Sequence, residues 1–337
     1  MNDLPAIFLK AVKLPGIIYR VIDHIAVQKK FLRQNTDPIL ATAFQKNDGS
    51  LGQDDRNKID HYYGLAVPAI LGEAFCALRG KEMSVNERWA STGQGAMTGL
   101  FDDFFDKDYM DDDSVEKMLH PGGVTPAGRS NQQLFDLFYK KALENTSDRK
   151  AMQDALTEVY QAQVASKKQK DDSITANLLL DITFFKGGSS LVFYRTAFSP
   201  GASAEEINLL YKLGGLMQFS NDIFDVYKDR EAGIKTLLTE TESIESIRSL
   251  FKKLLHEYYQ IAFEMGFPKK QVREFLDILS IGLFSRCFVC LDQLEKNERS
   301  SGNQFRVNEY TRQQLICDMD KKINMLRSAW AHLVDIP

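Results

Sequence analysis

Two short acidic runs in this chain have the residue types and the spacing to hold a hard cation. The run Gly99-Leu100-Phe101-Asp102-Asp103-Phe104-Phe105-Asp106 closes an apolar segment that begins near Ser84. Residues four apart share a helix face, so Asp102 and Asp106 are expected to point the same way. Like charges at that spacing repel unless a cation lies between them. Much later, Asn221, Asp225 and Asp229 recur at every fourth position, a stripe of oxygen ligands set among Phe219, Ile223, Phe224 and Val226. Magnesium suits such a stripe, because it takes oxygen ligands octahedrally and is held by one or two carboxylates together with substrate phosphates. Two stripes facing each other across a helical cavity would clamp a diphosphate. Either run alone also reads as a solvated helix end. Their joint occurrence beside Phe104, Phe105 and Phe224 favours the metal reading, since those rings are poor neighbours for water.

Other chemistries fail on spacing. Cys287 and Cys290 form a C-x-x-C, but no second pair and no nearby histidine pair completes a zinc set, and no βαβ pattern surrounds it. One helical turn apart in an apolar run, they read as small core residues. With Cys76 and Cys317 they are expected to stay reduced, which makes a cytoplasmic location the default. His256-Glu257 has no second histidine to make a zinc-protease helix, and no G-x-x-x-x-G-K-[ST] loop exists.

The elements that must carry these residues are helical. The period of about 3.6 residues runs through 58–79, 85–107, 131–145, 150–170, 173–198, 204–229, 243–265, 269–297 and 308–334, and no alternating strand or hairpin signal appears. Ser84 with Glu87 and Ser203 with Glu206 fit capping boxes, and Gly80 and Gly266 fit helix stops. Two polar loops, 111–131 and 298–308, adjoin the acidic runs. An all-α fold in one domain follows, with residues 1–57 as a helical extension packed on a domain spanning 58–337.

Apolar and charged fractions of 44% and 26% are those of a globular protein rather than a disordered one. A formal net charge of −4 gives no general pull toward nucleic acid. No apolar run has membrane-spanning length. The first thirty or so residues mix apolar side chains with Lys and Arg, interrupted by Pro5 and Pro15, and read as a helical layer with peripheral membrane contact as a lesser alternative.

With these motifs in place the chain resembles the class I terpene synthases and the related prenyl diphosphate synthases. Asp102 to Asp106 matches the family's D-D-x-x-D motif. Asn221 to Asp229 is similar to the second metal motif, N-D-x-x-S-x-x-x-E, with Asp225 where Ser or Thr is usual and Asp229 where Glu is usual. Asp225 also lets the segment read as N-D-x-x-D, preceded by Phe219 and Gln218 in the manner of the prenyl diphosphate synthases. Lys186-Gly187-Gly188 falls where the family breaks a helix to meet the diphosphate. Close helix packing is the competing reading of the two glycines, because a glycine pair serves either purpose. The arginine fork that holds isopentenyl diphosphate in chain elongators has no match at His61-Tyr62-Tyr63-Gly64, and Arg129 stands alone.

The resemblance implies a single-domain helical bundle of the class I terpenoid synthase type with a central cavity. It implies a cluster of Mg²⁺ ions, three in the family pattern and replaceable by Mn²⁺, on Asp102, Asp106, Asn221, Asp225 and Asp229. Lys186, Gly187, Lys228, Arg230 and Arg306 would meet the diphosphate, and Phe105 and Phe185 would line the hydrocarbon pocket. Asp102, Asp106 and Lys186 would carry ionisation of a prenyl diphosphate, from geranyl to geranylgeranyl length, to a terpene. The alternatives are prenyl transfer, by elongation or head-to-head coupling, and a non-catalytic helical binding protein. A homodimer is the family expectation.

Overall fold

The structure is a computed structural model that describes residues 4–106, 110–120, 123–124 and 128–337, with backbone alone for Leu4, Ala6 and Asp106. Among the described residues every regular element is a helix. In chain order they are α1 (Leu4–Phe31), α2 (Asp37–Gln45), α3 (Gln53–Asn57), α4 (Tyr63–Ala66), α5 (Glu73–Arg79), α6 (Val85–Asp106), α7 (Asp112–Met118) and α8 (Ser130–Asn145). There follow α9 (Arg149–Ser166), α10 (Ala176–Arg195), α11 (Ala204–Glu231), α12 (Ile244–Glu264), α13 (Lys269–Leu279), α14 (Ser285–Ser300), α15 (Arg312–Leu315) and α16 (Lys322–Val334). The all-α expectation holds. Among the described residues no helix is long and apolar enough to cross a membrane. The chain divides into two compact units. One comprises Met1–Tyr19, Ala165–Gly188 and Ala204–Pro337, and the other Arg20–Val164 and Ser189–Ser203.

In the second of these units α6 is the organising helix. The Ser84 hydroxyl accepts from the Glu87 amide at 3.2 Å while the Glu87 carboxylate accepts from the Ser84 amide at 2.9 Å, so the expected capping box starts it. Met97, Leu100, Phe101 and Phe104 recur at helical spacing and are buried against Phe135, Phe138 and Tyr139 of α8. The rings of Phe101 and Phe135 stack at 5.8 Å, and Phe104 meets Phe135 edge-on at 5.5 Å. Each such ring contributes about 2–3 kcal/mol by leaving water. Gly95 brings α6 to the backbone beside it, since a Cβ there would lie 2.4 Å from the Tyr63 carbonyl oxygen.

In the first unit α11 has the same logic. Leu209, Leu213, Leu216, Phe219, Ile223 and Val226 form a buried stripe, and Phe219 meets Phe251 of α12 edge-on at 5.8 Å. Cys290 of α14 lies 3.3 Å from the Ile223 carbonyl oxygen, and all four cysteines are free and buried, as the core reading of the C-x-x-C required. A π-helical turn, Ser280–Phe284, joins α13 to α14.

Three expectations about elements change. The helix expected over 308–334 is broken into α15 and α16. At the end of α15 Gln293 and Asn297 of α14 donate side-chain amides to the Gln314 carbonyl at 2.8 and 2.9 Å, and Gln293 also to that of Ile316 at 3.0 Å. Asn324 caps the Asp318 carbonyl at 2.8 Å. These long-range donors replace helical hydrogen bonds, which a local period cannot reveal. The loop expected over 111–131 contains α7, started by Asp111, whose carboxylate accepts from the Ser114 amide at 2.9 Å.

The third change concerns Lys186-Gly187-Gly188, where α10 runs unbroken. A Cβ at Gly187 would lie 2.0 Å from the Gly214 carbonyl oxygen, and one at Gly188 would lie 2.7 Å from the Tyr211 ring. The glycines are there because α10 and α11 touch backbone to backbone. The close-packing alternative wins, and the helix break expected to free amides for a diphosphate is absent.

Candidate functional site

Each acidic run belongs to a different unit. The first run ends α6. Asp102 is half-buried, and one of its carboxylate oxygens accepts from the side-chain amide of Gln163 on α9, the other from the Tyr63 hydroxyl on α4 at 3.3 Å. A carboxylate offers about four lone-pair sites, more than these two donors use. Asp103, pointing off the expected ligand face, is 6% exposed and pairs with the Lys58 ammonium at 2.6 Å. Lys58 also donates to the Gly99 carbonyl at 3.3 Å, tying the pair to the last turns of α6. Phe105 is half-buried, edge-on to Phe101 at 5.4 Å and tilted to Tyr160 at 6.1 Å. The side chain of Asp106 lies outside the described residues. Near this end of the helix the buried Tyr194 hydroxyl shares a 3.0 Å hydrogen bond with Thr98.

The second run occupies the C-terminal half of α11. The Asn221 amide donates to the Asp225 carboxylate at 3.2 Å, so these two side chains do share a face, one turn apart. Asp222, off that face, is buried and accepts from Gln218 at 2.9 Å and from Thr183 of α10 at 3.2 Å. Burial pushes its carboxyl up to about 6, with the charge of Asp225 adding to the effect against Gln218, Lys186 and Thr183. Asp229 is 8% exposed. Its carboxyl is pushed up to about 7, first by burial and then by the negative charges of Asp222 and Asp225, against the partial relief of Lys228 and Lys186. A carboxylate whose charged form is disfavoured by its neighbours is one that a bound cation would stabilise.

Of the other residues expected to bind substrate, Lys186 is half-buried on α10 and acts electrostatically on both raised carboxylates. Lys228 is exposed, and Phe185 is half-buried. Arg230 is committed elsewhere. Its guanidinium donates to the carbonyls of Val307 at 3.0 Å and Tyr310 at 2.7 Å, pairs with Glu231 at 2.8 Å and covers the Tyr227 ring at 5.0 Å. It anchors the segment after α14. Arg306 is exposed and spends its donors on Gln304 and Glu309. Gly187 is buried at the α10–α11 contact.

Among the described residues no three His, Cys, Asp or Glu side chains form a group able to hold a metal ion by themselves. Along α11 the donors are two carboxylates and an amide, all oxygen, and the end of α6 offers the Asp102 carboxylate within its own unit. That chemistry fits Mg²⁺ held with the help of substrate phosphates, and it lacks the nitrogen and sulfur donors of a zinc cage. The partners of these ligands escaped the sequence reading: Gln163 and Tyr63 on Asp102, Lys58 on Asp103, and Thr183 on Asp222. Their separation along the chain leaves no local signal. Only Gln218, four residues before Asp222, was within reach of a helical-spacing argument.

Neither family models nor curated proteins match this chain. Among solved structures, the crystal structure of a dehydrosqualene synthase in complex with ligand matches with a TM-score of 0.44 and 14% identity, over 94% of this chain and 99% of that one. Similarity at that level transfers no residue and no activity.

Proposed function

We propose that the protein is a Mg²⁺-dependent class I isoprenoid synthase of the terpene synthase kind, ionising a prenyl diphosphate between geranyl and geranylgeranyl in length. The observation that carries the reading is the stripe on α11. Asn221 and Asp225 share a face, and Asp229 one turn on is pushed up to about 7 by burial and then by the charges of Asp222 and Asp225. A bound cation would favour the charged form of such buried carboxyls.

On this reading Asn221, Asp225 and Asp229, with Asp102 and Asp106, hold the ions, and residues 58–337 form the catalytic region with 1–57 as an extension. Bound Mg²⁺, or Mn²⁺ in its place, supplies Lewis-acid stabilisation of the departing diphosphate. Gln163 and Tyr63 keep the Asp102 carboxylate in one orientation, and Gln218 and Thr183 fix Asp222 behind the stripe. Lys186 and Lys228 offset charge on the leaving group as the carbon–oxygen bond breaks and diphosphate departs with the bonding pair. Phe105 and Phe185 exclude water from the allyl cation, and each ring face stabilises it by about 0.5–2 kcal/mol. The cation then loses a proton, or takes up water, to give the terpene or its alcohol. The missing arginine fork favours one prenyl diphosphate over two.

Product analysis by gas chromatography and mass spectrometry tests this. Purified protein with Mg²⁺ is offered geranyl, farnesyl or geranylgeranyl diphosphate, with and without isopentenyl diphosphate. A hydrocarbon or alcohol that forms without isopentenyl diphosphate, and is lost in Asp102→Ala and Asn221→Ala, is the expected result. A longer diphosphate that needs isopentenyl diphosphate, or a product joining two prenyl chains, moves the assignment to prenyl transfer. No turnover of any substrate overturns the enzymatic reading.

A further inference from the structure

The helix α1 is apolar on the wrong side. Its inner face is conventional: Ile17, Val21 and Gln28 are buried. Roughly opposite, at helical spacings of four, seven and three, come Phe8, Val12, Tyr19 and Ile22, exposed by 71%, 63%, 71% and 59%. Leu9 and Val27, also exposed, widen the stripe. A helix that only covers a core has a polar outer face, so an outer row of a Phe, a Val, a Tyr and an Ile calls for something to cover it.

Charge says what. In a protein of net charge −4, residues 4–31 carry Lys10, Lys13, Arg20, Lys29 and Lys30 against Asp23 alone. At 100° per residue Lys13 falls on one flank of the apolar stripe and Lys29 on the other, while Asp23 and Lys30 fall on the stripe itself and offset one another. Lys10 falls on the inner side, where its ammonium donates to the Ile336 carbonyl at 2.7 Å. An apolar row between basic flanks, on a helix too polar to cross a bilayer, is the pattern of a helix lying in the plane of an anionic membrane surface. A second exposed row exists on α16, formed by Ile323, Leu326 and Trp330. There Lys321 and Lys322 are balanced by Asp318 and Asp320 just before them, so the charge argument singles out α1.

We propose that the outer face of α1, carrying Phe8, Val12, Tyr19 and Ile22 between the exposed Lys13 and Lys29, docks the protein on anionic lipid bilayers. The apolar row enters the boundary between headgroups and acyl chains, and the flanking cations meet the lipid phosphates. The docking stands apart from the catalytic reading and would hold whatever the substrate.

Co-sedimentation of the full chain with vesicles tests it, using phosphatidylcholine alone and phosphatidylcholine mixed with phosphatidylglycerol. The intact protein is expected to pellet with the anionic vesicles, remain largely in solution with the neutral ones, and dissociate as salt is raised. Val12→Ser with Tyr19→Ser removes the apolar row and should abolish pelleting. Lys13→Glu with Lys29→Glu should weaken it at least about tenfold. Both changes are at exposed positions, and circular dichroism checks that the fold is kept. Failure of the intact protein to pellet with anionic vesicles overturns the proposal, as does equal pelleting by both variants. A dimer in light scattering that Val12→Ser with Tyr19→Ser turns into a monomer, without vesicle binding, would give the face to a second copy of the chain instead.

Discussion

The two acidic helix segments look alike in sequence and are built differently. At the end of α6 the protein meets its own negative charge: Asp103 has the Lys58 ammonium at 2.6 Å, and Asp102 is held by an amide and a phenol hydroxyl. Along α11, Asp222, Asp225 and Asp229 crowd two turns. Gln218 and Thr183 orient Asp222 and Asn221 donates to Asp225, while burial first and neighbouring carboxylates second push the carboxyls of Asp222 and Asp229 up to about 6 and about 7. One segment is organised before any ligand arrives. The other holds buried carboxyls whose charged form a bound cation would favour, so the two should respond differently to the same kind of substitution.

The largest difference to look for is in activity. Under the proposed function, Asp225→Ala and Asp102→Ala should each lower turnover by about 10²–10³-fold, the scale of losing one group that stabilises developing charge. Mg²⁺ with inorganic pyrophosphate should raise the melting temperature of the native protein, and Asp225→Ala should remove that rise. Full activity in either variant would break the pairing of the two segments. Next comes Lys58→Met, which strands the buried Asp103 carboxylate and should cost about 3 kcal/mol in denaturant unfolding. A cost within error would mean that α6 does not depend on its internal ion pair.

A smaller loss is expected for Gly187→Ala, about 1–3 kcal/mol, because the added methyl meets the Gly214 carbonyl across the α10–α11 contact. A stable variant with impaired substrate binding would instead return Gly187 to a role at the diphosphate. The smallest effect is a sign. Without metal, Asp225→Asn should raise stability by about 0.5 kcal/mol through relief of like charges, while Asp102→Asn should leave it unchanged or lower it, since its two donors lose a charged acceptor. Equal signs would erase the contrast between the segments.

How much was legible follows from the range of each signal. The faces of α6 and α11 were readable because Met97, Leu100 and Phe104, or Leu209, Leu213 and Leu216, repeat within one helix, and Ser84 with Glu87 caps locally. The core role of Cys287 and Cys290 was readable from the apolar run around them. The break between α15 and α16 was not, because its cause is the amides of Gln293 and Asn297 arriving from another helix. Gly187 and Gly188 gave two readings of equal standing, and only the position of Gly214 and Tyr211 chose between them. Arg230 looked like a ligand for phosphate by proximity to the stripe, yet its guanidinium holds the carbonyls of Val307 and Tyr310.

The sequence by itself determined that the chain is helical, which face of each long helix is apolar, and that oxygen donors recur at one-turn spacing in two places. Those are properties of a single helix, set by its period. Tertiary structure alone decided which of the charges are compensated. Coulomb energy and desolvation depend on distance and burial, and Lys58, Gln163, Tyr63 and Thr183 reach the acidic runs from 39 to 61 residues away along the chain.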